Sequence, residues 1–287
     1  MNQVIEKIEQ SEEELRKIVR EKYSEIALAP REKNSSSCCG SGGCSSEVAS
    51  IFNEDYSSLE GYNEDADLGL GCGIPTQFAN IKSGDVIVDL GSGAGNDAFV
   101  ARSIVGENGK VIGIDMTEAM IAKARINNDK LGFNNVEFRL GEIEKLPVGS
   151  NTVDVVLSNC VLNLVPNKEK AFSQIHRILK PGGHFCISDI VLVGELPANL
   201  RKVAEMYAGC VSGALQKEEY MKIVQNAGFQ NVSVKKDKQI TIPKDILSEY
   251  LSNEEIESFY QSKAEIRSIT VYAEKEGQSC CSGNSCC

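Results

Sequence analysis

The side chains best suited to chemistry in this sequence are thiols. Its eleven cysteines fall into two sets. Seven lie in Gly/Ser-rich stretches, Cys38, Cys39 and Cys44 in one and Cys280, Cys281, Cys286 and Cys287 in the other. The other four, Cys72, Cys160, Cys186 and Cys210, are spread through the body of the chain. No pair has the C-x-x-C spacing that holds zinc, so no structural metal is expected. The N-terminal residues MNQVIEKIEQSEEELRKIVREKY lack the apolar segment of a secretory signal, which points to the cytoplasm. In a reducing compartment cysteines serve as ligands or redox groups rather than as a disulfide framework.

The second chemical element is VIVDLGSGAGND, residues 86 to 97. A strand ends on the acidic Asp89, and Gly91, Gly93 and Gly95 follow. Glycines allow a tight turn and let backbone N–H groups approach a ligand closely. Asp115 lies 20 residues after Gly95, at the end of the next predicted strand. A carboxylate there can accept hydrogen bonds from ribose hydroxyls. A dinucleotide fingerprint would need glycine where Asn96 stands. D-x-G-x-G-x-G instead resembles motif I of the class I methyltransferases. That resemblance implies that Asp89 to Gly95 line the methionine part of S-adenosylmethionine. It places Asp115 and Met116 at ribose and adenine, and Glu142 and Ile143 near adenine.

Position separates the body cysteines. Cys160 directly follows VDVVLSN (153–159), and ligands of open α/β sheets bind beyond the carboxyl ends of the strands. It is either a group facing the cofactor or a small buried hydrophobe. Cys186 sits inside HFCISDI and is expected in the core. Cys72 lies in LGLGCG, whose glycines Gly69, Gly71 and Gly73 suit a loop that moves between open and closed states. Cys210 lies in the predicted helix EMYAGCVSGAL.

The elements that must position these groups alternate. Residues 1–46 read as an amphipathic helix followed by a flexible Cys-bearing loop. Residues 47–196 carry the strands VIVDL (86–90), VIGID (111–115), VEFRL (136–140), VDVVLSN (153–159) and HFCISDI (184–190). Helices end near Val105, at Leu131 (with Thr117 as its N-cap) and at Leu179, before Pro181-Gly182-Gly183. This predicts an α/β fold, a Rossmann-like parallel sheet with helices on both faces. Residues 197–275 read as a smaller C-terminal α+β region with strands VSVKK (232–236) and SITVYAEK (268–275), packed on the sheet or forming a lid. Residues 276–287 are expected to be a disordered tail.

Composition narrows the partners. A content of 41% hydrophobic and 25% charged residues is that of a globular chain. A net charge of −11 repels phosphate backbones and anionic membranes, so neither nucleic acid nor membrane is expected. The expected state is a monomer.

The segments DLGLGCGIP (67–75), DLGSGAGND, VIGIDMTEAMI, VEFRLGEIEKLPV, VDVVLSNCVLNL, LKPGGHFCISDI and YAGCVSGAL together resemble the arsenite S-adenosylmethionine methyltransferases, over residues 45 to 235. The resemblance implies methylation of arsenite and methylarsenite. It makes Cys160 and Cys210 the arsenic-binding pair and Cys72 the third thiol. The fourth comes from the N-terminal loop, where Cys44 is favoured over Cys38 and Cys39. It implies a transient disulfide between that thiol and Cys72, recycled by glutathione or thioredoxin. Ser92 and Asn159 complete the cofactor set. The chemistry is consistent: As(III) is soft, and soft thiolates select it. No general base is needed at arsenic, so His176 and His184 are expected to be structural. The tail cysteines either capture arsenic or form a solvated end. A quinone or sterol C-methyltransferase shares the fold and the LKPGG segment, and a thiol-rich protein could sequester arsenic without turnover; neither explains the cysteine set and the cofactor loop together.

Overall fold

In the computed structural model, residues 12–29, 54–196, 211, 213–242, 244–248 and 251–277 are described. Apolar, β-branched runs give β1 (Val86–Leu90), β2 (Lys110–Asp115), β3 (Val136–Leu140), β4 (Val153–Asn159) and β5 (Leu179–Val193). Two further strands follow, β6 (Phe229–Ile240) and β7 (Glu265–Lys275). All seven form one sheet in the order β3-β2-β1-β4-β5-β7-β6. β1 to β5 are parallel, and β7 runs antiparallel to both β5 and β6. The strands expected to pack on the sheet or cap it therefore extend it.

The described helices are α1 (Glu12–Leu28), α2 (Asn96–Val105), α3 (Glu118–Leu131), α4 (Lys168–Ile178), α5 (Lys217–Asn226), α6 (Lys244–Ser248) and α7 (Asn253–Gln261). α4 shows why these segments are helical. The Asn167 side chain caps it by accepting from Lys170 N–H at 2.9 Å. Ala171, Phe172, Ile175 and Ile178 then form one buried face. The helix ends at Ile178 with Leu179 as its C-cap, as expected, and the chain passes directly into β5, where Leu179 already pairs with Val153, so LKPGG also opens the strand. Thr117 occupies the N-cap of α3, but its side chain makes no capping bond. Its N–H is held instead by Asp115 Oδ1 at 2.8 Å.

Cores lie on both faces of the sheet, one around Phe172, Phe185 and Tyr220, the other around Phe99, Phe138 and Met120. His176 packs edge-on against Phe229, and His184 meets the Ala79 carbonyl and Tyr272, which are structural settings. Among the described residues no helix is long and apolar enough to cross a membrane.

Candidate active site

The strand order reverses between β1 and β4, since β2 and β3 lie to one side and β5 to the other. In open sheets a crevice forms at that point. Here it holds a cavity of about 190 Å³. Its walls include Asp89, Gly91, Ser92, Gly93, Asp115, Met116, Glu142, Ile143, Asn159 and Cys160. Gly95 lies just outside this wall as the N-cap of α2.

The glycine loop works differently from the expectation that its N–H groups face a ligand. Gly91 and Ser92 N–H both donate to Ile114 O, at 2.7 and 3.0 Å. Gly93 N–H donates to Asp115 Oδ2 at 3.0 Å, and Gly95 N–H to Ser92 O. The loop is thus folded onto β2. Its positive φ angles bring the backbone close to the cavity without presenting these donors to it.

What faces the cavity is carboxylate. Burial, then repulsion from Asp97 and Asp115, holds the Asp89 carboxyl well above its usual range. Asp97 is pushed by burial up to about 6, against hydrogen bonds from Asn159 and Tyr56 that favour the ionised form. Asp115 is raised by burial and held back by the N–H groups of Thr117 and Gly93. Asp89 Oδ2, Ser92 Oγ and Asn96 Oδ1 are buried without a protein partner, and all three residues line the cavity. Buried acceptors of this kind need a partner, and clustered carboxylates favour a cation. S-adenosylmethionine, with its sulfonium and ammonium charges, fits that set of acceptors and carboxylates.

Sequence reasoning gave α1 no part in the site. Its Arg16, Val19 and Tyr23 nevertheless line the cavity. Arg16 binds the buried Glu144 at 2.9 Å, and Arg20 reaches Glu142 at 3.5 Å. The helix periodicity foretold an apolar face, but nothing local marked which surface it would cover.

The thiols lie at the carboxyl edge of the sheet. Cys160 is 5% exposed and adopts φ +60°, with its N–H donating to Ser188 O at 2.8 Å. Cys72 is 1% exposed. Its N–H donates to Asn159 Oδ1 at 3.0 Å, and its carbonyl accepts from Ser268 Oγ of β7 at 2.6 Å. The flanking glycines serve close packing. A Cβ on Gly71 would lie 2.7 Å from Asn159 Nδ2, and one on Gly73 would lie 2.6 Å from Ser188 Cβ. The loop is therefore anchored here, where the glycines had suggested freedom to move. Cys72 and Cys160 share one buried cluster with Val211 and Ile190. Cys186 lies apart, fully buried within β5, its thiol pushed by burial up to about 12.

Cys210, Cys44, Cys38, Cys39 and the tail cysteines 280, 281, 286 and 287 lie outside the described residues. Val211, the neighbour of Cys210, belongs to the Cys72–Cys160 cluster, and Gly213 packs against the Asn163 carbonyl so closely that no Cβ would fit. Val211 and Gly213 thus meet the SNCVLNL segment in space. Among the described residues no group of three or more His, Cys, Asp or Glu is arranged to hold a metal ion.

Residues 81–228 match the model of a family described as a methyltransferase domain. An arsenite methyltransferase of Halobacterium salinarum is 41% identical over 254 residues, 84% of this chain and 62% of that protein. An arsenite methyltransferase of Mus musculus is 38% identical, over 60% of this chain and 48% of that protein. The chain thus spans about half to three fifths of the length of these relatives. Among solved structures, an arsenic(III) S-adenosylmethionine methyltransferase from Chlamydomonas reinhardtii is similar with a TM-score of 0.61 at 33% identity, covering 72% of this chain and 68% of that one.

Proposed function

The chain belongs to the arsenite methyltransferase family, built on the methyltransferase domain, and from that premise we propose that it moves methyl groups from S-adenosylmethionine to trivalent arsenic held on its own cysteine thiolates, converting arsenite to mono- and dimethylated arsenicals as a detoxification. The observation that carries this reading is the convergence of Cys72, Cys160 and Val211 in one buried cluster next to an acidic cavity suited to a cation.

In this reading Asp89 and the loop from Gly91 to Gly95 hold the methionine end of the cofactor. Asp115 and Met116 hold the ribose and adenine, and Glu142 and Ile143 the far side of the adenine. Bound there, S-adenosylmethionine supplies a methyl carbon on positively charged sulfur, open to attack by the arsenic lone pair. Cys160 and Cys210 form the obligatory arsenic pair, and Cys72 is the third ligand. Each thiol that binds displaces hydroxide or glutathione thiolate, and its proton leaves with the displaced group. The burial of Cys72 and Cys160 keeps competing water away from the As–S bonds. The protein's main contribution is placement, which can supply about 7–11 kcal/mol in the best cases. Methyl transfer to the lone pair raises arsenic to the pentavalent state. Cys72 and an N-terminal thiol, Cys44 before Cys38 or Cys39, give up two electrons to return it to trivalent arsenic and become a disulfide, which glutathione or thioredoxin reduces in the cytoplasm. The tail cysteines are accessory.

The test is an assay with arsenite, glutathione and labelled cofactor, read as methylated arsenic species. Cys160→Ser and Cys210→Ser should abolish methylation of arsenite and of monomethylarsonous acid, because a hydroxyl is a poor ligand for a soft centre. Cys186→Ser should keep its arsenic affinity. Cys72→Ser should lose the first methylation and keep much of the second, since monomethylarsonous acid has only two exchangeable positions. Equal loss of both rates in Cys72→Ser removes the third-ligand role. No label on arsenic in this assay, with label on the ring when a quinol is supplied in place of arsenite, overturns the reading altogether.

A further inference from the structure

Asn159 stands between the cofactor cavity and the thiols: it ends β4, and Cys160 follows it. The two ends of an asparagine amide have nearly the same shape, so the surroundings decide which way it points. Nδ2 lies 2.8 Å from Gly73 O and 3.0 Å from Asp97 Oδ2. A carbonyl and an ionised carboxylate only accept, so the NH2 end must face them. That leaves Oδ1 toward Cys72 N–H at 3.0 Å. Tyr56 completes the arrangement. Its Oη is 2.8 Å from Asp97 Oδ1, 2.9 Å from Gly73 O and 2.8 Å from Asn159 Nδ2. The phenol hydrogen satisfies one Asp97 oxygen while the amide satisfies the other. Tyr56 is 4% exposed and Asp97 9%, and Asn159 between them is half-buried.

We propose that Tyr56 and Asp97 are positioning residues of the thiol site, which fix the orientation of Asn159 and thereby the place of Cys72 relative to Cys160. The proposal rests on the arsenic reading above and deepens it. Neither residue has to touch arsenic. Tyr56 comes from residues well before the cofactor loop, and Asp97 from the first turn of α2, so the clamp ties the cavity wall to the Cys72 backbone. Its effect is selective by valence. An arsenic centre that takes three thiolates needs Cys72 in place. One with a permanent carbon substituent takes only two and tolerates a displaced Cys72.

The experiment compares arsenite with phenylarsine oxide as probes, each titrated into the full chain and followed by thiolate-to-arsenic absorption, with S-adenosylhomocysteine titrated calorimetrically alongside. Tyr56→Phe keeps the ring and removes the hydroxyl. It should weaken arsenite binding at least fivefold while phenylarsine oxide changes less than twofold; S-adenosylhomocysteine reports separately on the cofactor cavity, which Tyr56 and Asn159 also line. A merely structural role would lower both arsenicals together, and that result overturns the proposal. So does unchanged arsenite affinity. Should Tyr56→Phe unfold, Asp97→Asn carries the same comparison. It offers a donor where only an acceptor stood, lets the Asn159 amide turn over, and should show the same loss of arsenite relative to phenylarsine oxide, whatever the change at the cofactor cavity that Asp97 also faces. If the unaltered chain takes up no arsenite through its thiols, the arsenic reading fails; if it does and both variants bind arsenite normally, only the clamp fails.

Discussion

Cys160 carries strain in its backbone. A φ of +60° is left-handed, and a residue other than glycine held there costs about 1–3 kcal/mol. Cys72, by contrast, is held through both of its peptide groups, by Asn159 and by Ser268. That seating has no slack, which makes a methyl group informative. Gly73→Ala would push the new Cβ into Ser188, inside the central strand β5. Overpacking of this kind should lower stability by about 1–3 kcal/mol in urea unfolding, and an unchanged midpoint would mean that the loop stands off the sheet. Asp115→Asn brings an amide hydrogen against the N–H of Gly93 or Thr117. S-adenosylhomocysteine should then bind at least tenfold more weakly by calorimetry, and normal affinity would detach Asp115 from the cofactor. Asp115 was legible from local pattern and Cys160 was suggested by its place at the end of a strand, while Cys72 was marked only by the family resemblance. Tyr56, Ser268 and the seating of Asn159 were not legible. Their partners lie 103 and 196 residues away in sequence, and no spacing rule reaches that far.

Strands were the most readable elements, because β-branched runs such as VIVDL and VDVVLSN are buried on both faces and need no partner to be recognised. The sides on which helices pack were less so. α1 announces an apolar stripe, yet its consequence comes from Arg16, whose guanidinium meets the almost wholly buried Glu144. Removing one member of such a pair leaves the other buried without compensation. Arg16→Met should therefore release α1 from the cavity mouth. Amide exchange across Glu12–Leu28 should quicken while that of β1 and β4 stays slow, and S-adenosylhomocysteine should bind several-fold more weakly. Unaltered exchange in α1 would show that apolar packing of Tyr23, Ile26 and Ala27 suffices to hold it. The antiparallel insertion of β7 was hidden for a different reason. SITVYAEK reads equally well as an edge strand, a lid strand or a central one.

The whole molecule carries a pH dependence built into its buried carboxylates. Burial pushes Asp189 up to about 7, against the opposing pull of Lys168 and its hydrogen bonds, whereas an unfolded aspartate titrates near 3.9. Between those values the folded chain holds a proton that the unfolded chain has released. The stability from this group is therefore complete below about pH 4 and is lost as the pH rises through about 7. Asp97, raised to about 6, acts in the same direction. Asp189→Asn should flatten the fall in melting temperature between about pH 5 and pH 8, measured calorimetrically beside the parent so that the general effect of net charge cancels. A parent and variant that run parallel would contradict the raised value. The strand order has a consequence in time as well. A ribosome delivers β6 before β7, yet the sheet neighbour of β6 among the described residues is β7. Until Glu265–Lys275 emerges, β6 has nowhere to pair and the long flank of β5 stands open, the kind of bare edge that invites wrong partners. Ser268 travels on that same late strand. The growing chain thus reaches its finished thiol geometry in the same step that closes its stickiest edge, so a half-made molecule is at once the most prone to aggregate and the least able to hold Cys72 ready.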